Sequence, residues 1–277
     1  MKDLAKTALL TVYKYSGAIA AQERMAYLLG SQFIPILLLH RVTDEIPPDG
    51  VTVTTAWFRG LCEMLSKRFH VVALREAMQY INSGRRWPRR MIAITFDDCY
   101  RDNLFAAREL TRYGLPACFF IPTAFPGTAH VFHWDTELKR MPNLTWDDIR
   151  EIAGMGHEIG SHTVHHADMS QLSEQDARRE LSESKQTLEK HLGQPVRWFA
   201  YPFGAPSNFI PQRLPLIYEA GYEGCFSGYG GFVYPSMKHQ VIPRVPVPSF
   251  RSLLNLELYL TGCLDWVYVL KRRARMT

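Results

Sequence analysis

The feature that most constrains this chain is a regular alternation of short apolar runs with longer stretches of helical periodicity, sustained from Phe33 to Arg244. Phe33–Leu39, Val71–Leu74, Met91–Phe96, Ala117–Ile121, His157–Ser161, Trp198–Tyr201, Gly224–Ser227 and Val241–Arg244 read as strands. Between them Thr55–Phe69, Asn103–Tyr113, Thr145–Met155, Ser173–His191 and Pro211–Ala220 read as helices. The fourth helix opens on Ser-x-x-Asp, a variant of the capping box, and Gly193 follows its end. Strands separated by helices run parallel and need crossover connections, so the fold class is α/β.

The residues that carry chemistry collect at the C-terminal ends of these strands. His40 ends the first, Asp97 and Asp98 the third; His162 and His166 follow the fifth, and Tyr201-Pro202 ends the sixth. An α/β barrel places its active site on that end. A carboxylate and two imidazoles four positions apart make a coordination set for a divalent metal with open positions, and the spare carboxylate can take a proton from an attacking water. The chain carries its own control in LTWDDIR. There Thr145 reads as a helix N-cap, and Asp147 and Asp148 fall in the first turn, where carboxylates meet free N–H groups and the positive end of the dipole. Asp97 and Asp98 instead close a buried-looking strand, where an unpaired charge is costly. A histidine pair four apart is, by itself, as readily a solvated face, so the argument rests on both signals together.

A third segment, RWFAYPFGAPS (197–207), completes an order of TFDD, HTxxH and Y-P-x-G that resembles the polysaccharide deacetylases, metal-dependent N- and O-deacylases of sugars. The resemblance runs from about His40 to Arg244 and takes in LLLHRV, the RDN after the carboxylates, YGLPACFFIPT and GHEIGSHTVHHADMSQLS. It implies an irregular (β/α) barrel of seven strands, one fewer than the runs above, of which Val71–Leu74 is the weakest. It also implies Asp98, His162 and His166 as ligands of a divalent ion, zinc first, with cobalt, nickel or manganese as alternatives, and Asp97 as general base. Successive strand residues point to opposite faces, which agrees with giving the two carboxylates different tasks. The family spacing selects His166 and leaves His165 a rim or structural residue.

Three positions depart from the family pattern. Cys99 stands where Gly is usual, either as a soft thiol near the metal or as a small buried filler. Ala200 stands where many relatives carry an Arg that holds the catalytic Asp; others carry it on the last strand, and Arg244 in VIPRVPV matches those. The usual Leu-x-His, whose His is the general acid, is missing, and His40 is the substitute, its alternative role being a structural hydrogen bond at a strand end. Tyr201 and Pro202, with Trp134 in VFHWD, are the expected substrate contacts; Trp134 is either a platform for a sugar ring or an ordinary core residue.

The expected organisation is a helical extension over residues 1–30, the barrel over 31–250, and a helix with a basic tail over 251–277. A net charge of +5 is mild, and neither Arg85-Arg86 with Arg89-Arg90 nor the tail Lys271-Arg272-Arg273-Ala274-Arg275 carries the pattern of a nucleic-acid site. The cysteines, Cys62, Cys99, Cys118, Cys225 and Cys263, are odd in number and lack CxxC spacing, so neither a disulfide framework nor a zinc ribbon is indicated, and a reducing compartment fits. Ala18-Ile19-Ala20 resembles a signal-peptidase site, but Lys6 and Lys14 interrupt the apolar run before it, and Ala5, Leu9, Val12 and Ile19 share one face of an amphipathic helix. Leu253–Leu270 is apolar, yet Asn255, Glu257 and Asp265 argue against a spanning helix.

The expectation is a cytoplasmic hydrolase removing an acetyl or formyl group from an amino sugar of a polysaccharide, oligosaccharide or lipid-linked glycan. Its terminal helices either cap the barrel or rest together on the inner face of the membrane. An amidohydrolase acting on a small nitrogenous metabolite and a catalytically weak glycan-binding protein are the alternatives; the oligomeric state stays open.

Overall fold

The structure is a computed structural model that describes residues 12, 16–28, 32–83, 86–135, 141–234, 241–250 and 252–262. Its strands are β1 (Ile36–Leu39), β2 (Arg41–Val42), β3 (Thr52–Val53), β4 (His70–Val71), β5 (Met91–Phe96), β6 (Cys118–Ile121), β7 (Glu158–Ser161), β8 (Trp198–Ala200), β9 (Gly224–Gly230) and β10 (Ile242–Pro246). In the order β1, β10, β9, β8, β7, β6, β5 they pair in parallel, and β5 pairs again with β1, so seven strands close a ring. Helices Asp102–Arg112, Trp146–Gly154, Glu174–Leu192 and Leu214–Glu219 fill the crossovers. The irregular seven-stranded barrel expected from the sequence is therefore the fold.

The eighth run lies outside the ring. β4 covers only His70–Val71 and pairs with the first two residues of β5. Leu74, assigned to a strand from the sequence, opens the helix Leu74–Ser83 instead. The reason is a helical stripe: Leu74, Ala77, Met78 and Ile81 are all buried, at spacings i, i+3, i+4 and i+7. The lateral pair of β2 with β3 is a second element the sequence did not announce. Two residues are too few to show a period.

Alternate side chains point into the ring and out to the helices. Met91 and Ala93, Cys118 and Phe120, Trp198 and Ala200, and Phe226 form one buried cluster, the interior. Ile92, Ile94, Phe96, Phe119, Phe199 and Cys225 belong to another, packed under the helices. The interior is filled rather than hollow: a Cβ on Gly160 would stand 2.4 Å from the Phe120 ring. Thr145 and Asp148 form the full capping box at the start of Trp146–Gly154. Ser173 caps Glu174–Leu192, which ends at Gly193 in the left-handed conformation, φ 65°.

The described parts of both extensions meet near the N-terminal end of β5. Gln22 of helix Ala18–Leu28 donates to Gly262 O (3.2 Å), and Glu23 pairs with Arg89 and Arg90 at 2.9 and 2.6 Å. Residues 1–11 with Ala5 and Leu9, Arg85, Cys263 and the basic tail lie outside the described residues. Among the described residues no helix is long and apolar enough to cross a membrane.

Candidate active site

Asp97 continues the inward parity of β5, following Met91, Ala93 and Thr95. It is 4% exposed, so its charge needs a partner inside the barrel. That partner is Arg244, fully buried on β10, whose two terminal nitrogens donate to the two Asp97 oxygens at 2.8 and 2.7 Å. Arg244 is held in turn by Thr95 Oγ1 (3.1 Å) and by Ser227 O, and its guanidinium sits 5.3 Å from the Phe120 ring centre. Burial alone would raise the Asp97 carboxyl, but Arg244 and then His162 outweigh it and hold it below the usual carboxylate range. The Arg that Ala200 lacks is thus supplied from the last strand.

Strand parity would turn Asp98 away from Asp97. The backbone breaks that parity, with φ 79° at Asp98 and 68° at Cys99, both in the left-handed region. Each such residue costs roughly 1–2 kcal/mol when it is not glycine, so the turn is maintained by its surroundings. Asp98 Oδ1 then lies 3.5 Å from His162 Nε2 and 3.3 Å from His166 Nε2. Ligand atoms about 2.0–2.1 Å from a tetrahedral ion stand about 3.4 Å apart, so both separations fit one shared divalent cation. All three donor atoms fall within 4.8 Å of one another, and all three residues are buried. His162 Nδ1 lies 2.8 Å from Ala200 O; a proton there leaves Nε2 with its lone pair toward the donor set. Burial alone would raise the Asp98 carboxyl, but in the metal-free chain the two imidazoles that face it outweigh burial and bring it well below its ordinary value.

The loop carrying the histidines needs its own support. Thr163 and His166 adopt positive φ, 66° and 54°. Glu180, buried on the helix Glu174–Leu192, accepts from the N–H groups of Val164 and His165 at 2.7 and 3.0 Å. The His165 ring bonds the same carboxylate at 2.6 Å and is largely exposed, turned away from the donor set. Glu180 was missed in the sequence, although a carboxylate on the apolar stripe of Ala177, Leu181, Ser184 and Leu188 was a visible anomaly.

His40 is an electrostatic neighbour of both Asp97 and Asp98. Its carbonyl accepts from Asn103 Nδ2 (2.6 Å), while its buried Nδ1 has no hydrogen-bond partner among the described residues. Asp102 accepts from Val42 N at 3.2 Å, so the RDN segment clamps the chain on both sides of Arg41. Cys99 is fully buried and its thiol is pushed up by burial, which makes it a small filler and not a reactive thiolate.

The expected substrate contacts divide. Trp134 stands with its ring centre 5.4 Å from His166, stacked on Phe132 at 4.5 Å. Tyr201 takes the outward parity of β8: its ring packs on Phe209 and Phe199 at 4.6 and 5.1 Å, and its N–H donates to Phe226 O at 3.0 Å. The structure therefore does not bring the Tyr201 ring to the donor set, and Pro202 is buried in the turn that follows. The aromatic that this turn delivers is Phe203, 46% exposed and 4.9 Å from His166. Gly204 makes the turn possible, since a Cβ there would stand 2.0 Å from Gly228 N.

The model of the family described as polysaccharide deacetylase matches residues 84–223. YxkH of Bacillus subtilis (strain 168), whose name places it among polysaccharide deacetylases, is 24% identical over 195 residues, 69% of this chain and 62% of its own length. The match thus spans less than two thirds of that relative. Among solved structures, the Streptococcus pyogenes deacetylase PplD in complex with acetate superposes with a TM-score of 0.66 and 22% identity, over 79% of this chain and 96% of that one. IcaB from Ammonifex degensii gives 0.69 and 20%, over 83% and 97%. A de-N-acetylase from Aggregatibacter actinomycetemcomitans gives 0.67 and 16%, over 82% and 99%. At such identities the likeness is one of fold.

Proposed function

The chain belongs to the polysaccharide deacetylase family, and from that premise we propose that it hydrolyses an N-acyl group, acetyl or formyl, from an amino sugar of a polysaccharide, oligosaccharide or lipid-linked glycan. The observation that carries the reading is the juxtaposition of two differently equipped carboxylates. Asp98 is grouped with two imidazoles, and Asp97 is clamped by Arg244. Asp98, His162 and His166 are the residues that would hold a divalent ion, zinc first. When bound, that ion supplies Lewis-acid polarisation of the acyl carbonyl.

The rest of the chemistry belongs to the chain. Asp97 stays ionised at neutral pH because Arg244 faces it, and so is ready to take a proton from the attacking water. His40, an electrostatic neighbour of both carboxylates, is assigned the delivery of the proton that the departing amine requires. Trp134 and Phe203 flank His166 with rings suited to the apolar face of a pyranose, and buried Phe132 backs Trp134. A glycan-binding protein without activity would have no use for a buried, charge-paired carboxylate beside a metal set, which favours the enzyme.

The test is acetate release from N-acetylhexosamine oligomers by the zinc-loaded chain, alongside metal content. Asp97→Asn is expected to keep one ion per chain and lose about 10²–10⁴ in turnover, the usual worth of a general base. Undiminished turnover in that variant would remove the base assignment. No acetate or formate from any acylated amino sugar, with metal bound, would remove the function.

A further inference from the structure

A second buried cluster adjoins the donor set and has no part in that mechanism. Arg41 on β2 and Asp135 in the loop after β6 are 1% and 2% exposed, and their side chains form an ion pair. Arg41 commits its other nitrogens to Thr52 Oγ1 and Asp49, each at 2.8 Å. The second Asp135 oxygen accepts from the Tyr100 hydroxyl at 2.7 Å. That hydroxyl accepts from the Trp134 indole N–H at 3.0 Å. The Arg41 guanidinium also lies 5.3 Å from the Tyr100 ring centre.

Such a chain is a poor way to gain stability. A buried ion pair recovers little more than its desolvation cost, and an apolar replacement is often as stable. What a fully satisfied polar network does provide is a single geometry. The geometry it fixes here is that of an indole. Stacking on Phe132 at 12°, with edge contacts to His166 and Phe203, sets the plane of the Trp134 ring but not the direction of its N–H within that plane. The bond to Tyr100 sets that direction, and the ion pair behind Tyr100 ties β2 to the loop after β6. The indole so held stands edge-on to His166.

We propose that Arg41, Asp135 and Tyr100 form a positioning relay that locks the Trp134 indole as a fixed wall of the sugar site, so that they set selectivity for an amino sugar over a small acyl ester. The inference rests on the deacetylase reading above. None of the three is assigned contact with reacting atoms; they act through Trp134.

The experiment uses the full-length, zinc-loaded chain with ¹⁵N-labelled tryptophan, in wild type, Tyr100→Phe, Trp134→Phe and the double variant. Tyr100→Phe keeps the ring's volume and leaves the Arg41–Asp135 ion pair in place, so it endangers folding less than Arg41→Met does. Trp134→Phe identifies the Trp134 indole resonance. Kinetics use an N-acetylglucosamine oligomer and 4-nitrophenyl acetate. In Tyr100→Phe, solvent exchange of the Trp134 indole N–H is expected to accelerate about tenfold, the scale of one lost hydrogen bond. The ratio of kcat/KM for oligomer over ester is expected to fall about tenfold, mostly through the oligomer KM. The double variant is expected to show no further fall in that ratio, since both changes cut the same link. An unchanged exchange rate, or equal losses on both substrates, would overturn the relay. A wild-type chain that deacetylates no oligomer would overturn the deacetylase reading instead, and the exchange rates would still decide the relay.

Discussion

The same dipeptide, Asp-Asp, occurs twice in this chain and does opposite work. At Asp147-Asp148 the carboxylates make their hydrogen bonds within one helical turn, with Arg101 at 3.8 Å from Asp148 as a looser partner outside it. Asp148 Oδ2 accepts from Thr145 N at 2.8 Å, Asp148 N donates back to Thr145 Oγ1 at 3.1 Å, and Asp147 is 89% exposed. At Asp97-Asp98 both carboxylates are buried, the backbone is forced into the left-handed region, and the strongest partner, Arg244, lies 147 residues away. The first pair helps a helix begin and would do so in many proteins. The second makes sense only when the whole ring has closed, because closure alone brings β10 beside β5 through β1. A charge satisfied by its neighbours is a folding signal. A charge satisfied from across the fold, at a cost in strain and desolvation, marks a site.

That contrast is broken most severely by matched alanines. Asp98→Ala is expected to lose both the bound ion and all measurable turnover, because one of three donors is gone. Asp148→Ala is expected to keep both and lose about 1 kcal/mol of stability, the worth of a helix cap. Metal analysis, acetate release and urea unfolding on the two variants decide it. Metal retained in Asp98→Ala would mean the two imidazoles suffice.

Next comes Arg244→Met, which should destabilise by about 3–5 kcal/mol, since removing one partner leaves a buried charge uncompensated. The sign of its pH dependence follows from Asp97. In the wild type the Asp97 carboxyl is held below its ordinary value of about 3.9, so the stability it contributes is present above that pH and is lost as pH falls through the folded value. Without Arg244, burial prevails and the carboxyl rises above its unfolded value. Asp97 then favours the folded state most at low pH, and that contribution is lost as pH rises through the raised value. In the metal-free protein the stability gap between wild type and variant should therefore be widest near pH 8 and narrow toward pH 4. The acid limb of kcat/KM should move to higher pH. A gap of constant size would mean that Arg244 matters for packing and not for charge.

Much of this was legible in the sequence, and what was not has a common cause. Ring strands such as β1, β5 and β6 could be read because each is a continuous apolar run, the others by their place in the alternation with helices, and the donor residues because they stand where strands end. Val71–Leu74 misled because two β-branched residues look like a strand, while the stripe from Leu74 to Ile81 needed a count at helical spacing. Tyr201 was expected at the site by motif, yet strand parity after Trp198 sends its ring outward and the next turn brings Phe203 in. Glu180 stood out only as a carboxylate on an apolar stripe, and Tyr100 and Asp135 have no side-chain partner near them in sequence. Their partners are supplied by other loops, and no local period points to a contact between loops.

The smallest expected effect sharpens the comparison from the other side. Asp147 sits in the first turn of Trp146–Gly154, exposed, with Arg150 as its ion-pair partner. Everything that favours its charge there, the helix dipole and an exposed neighbour, is screened by salt. Asp147→Asn should therefore lower the thermal midpoint slightly in dilute buffer, and the difference should vanish at about 1 M salt, where the screening length is about 3 Å. The Asp97–Arg244 pair is sealed inside the barrel, so the loss in Arg244→Met should persist at the same salt. An Asp147→Asn deficit that survived high salt would mean that this carboxylate, too, answers to something beyond its own turn. The local pair would then no longer serve as a control for the remote one.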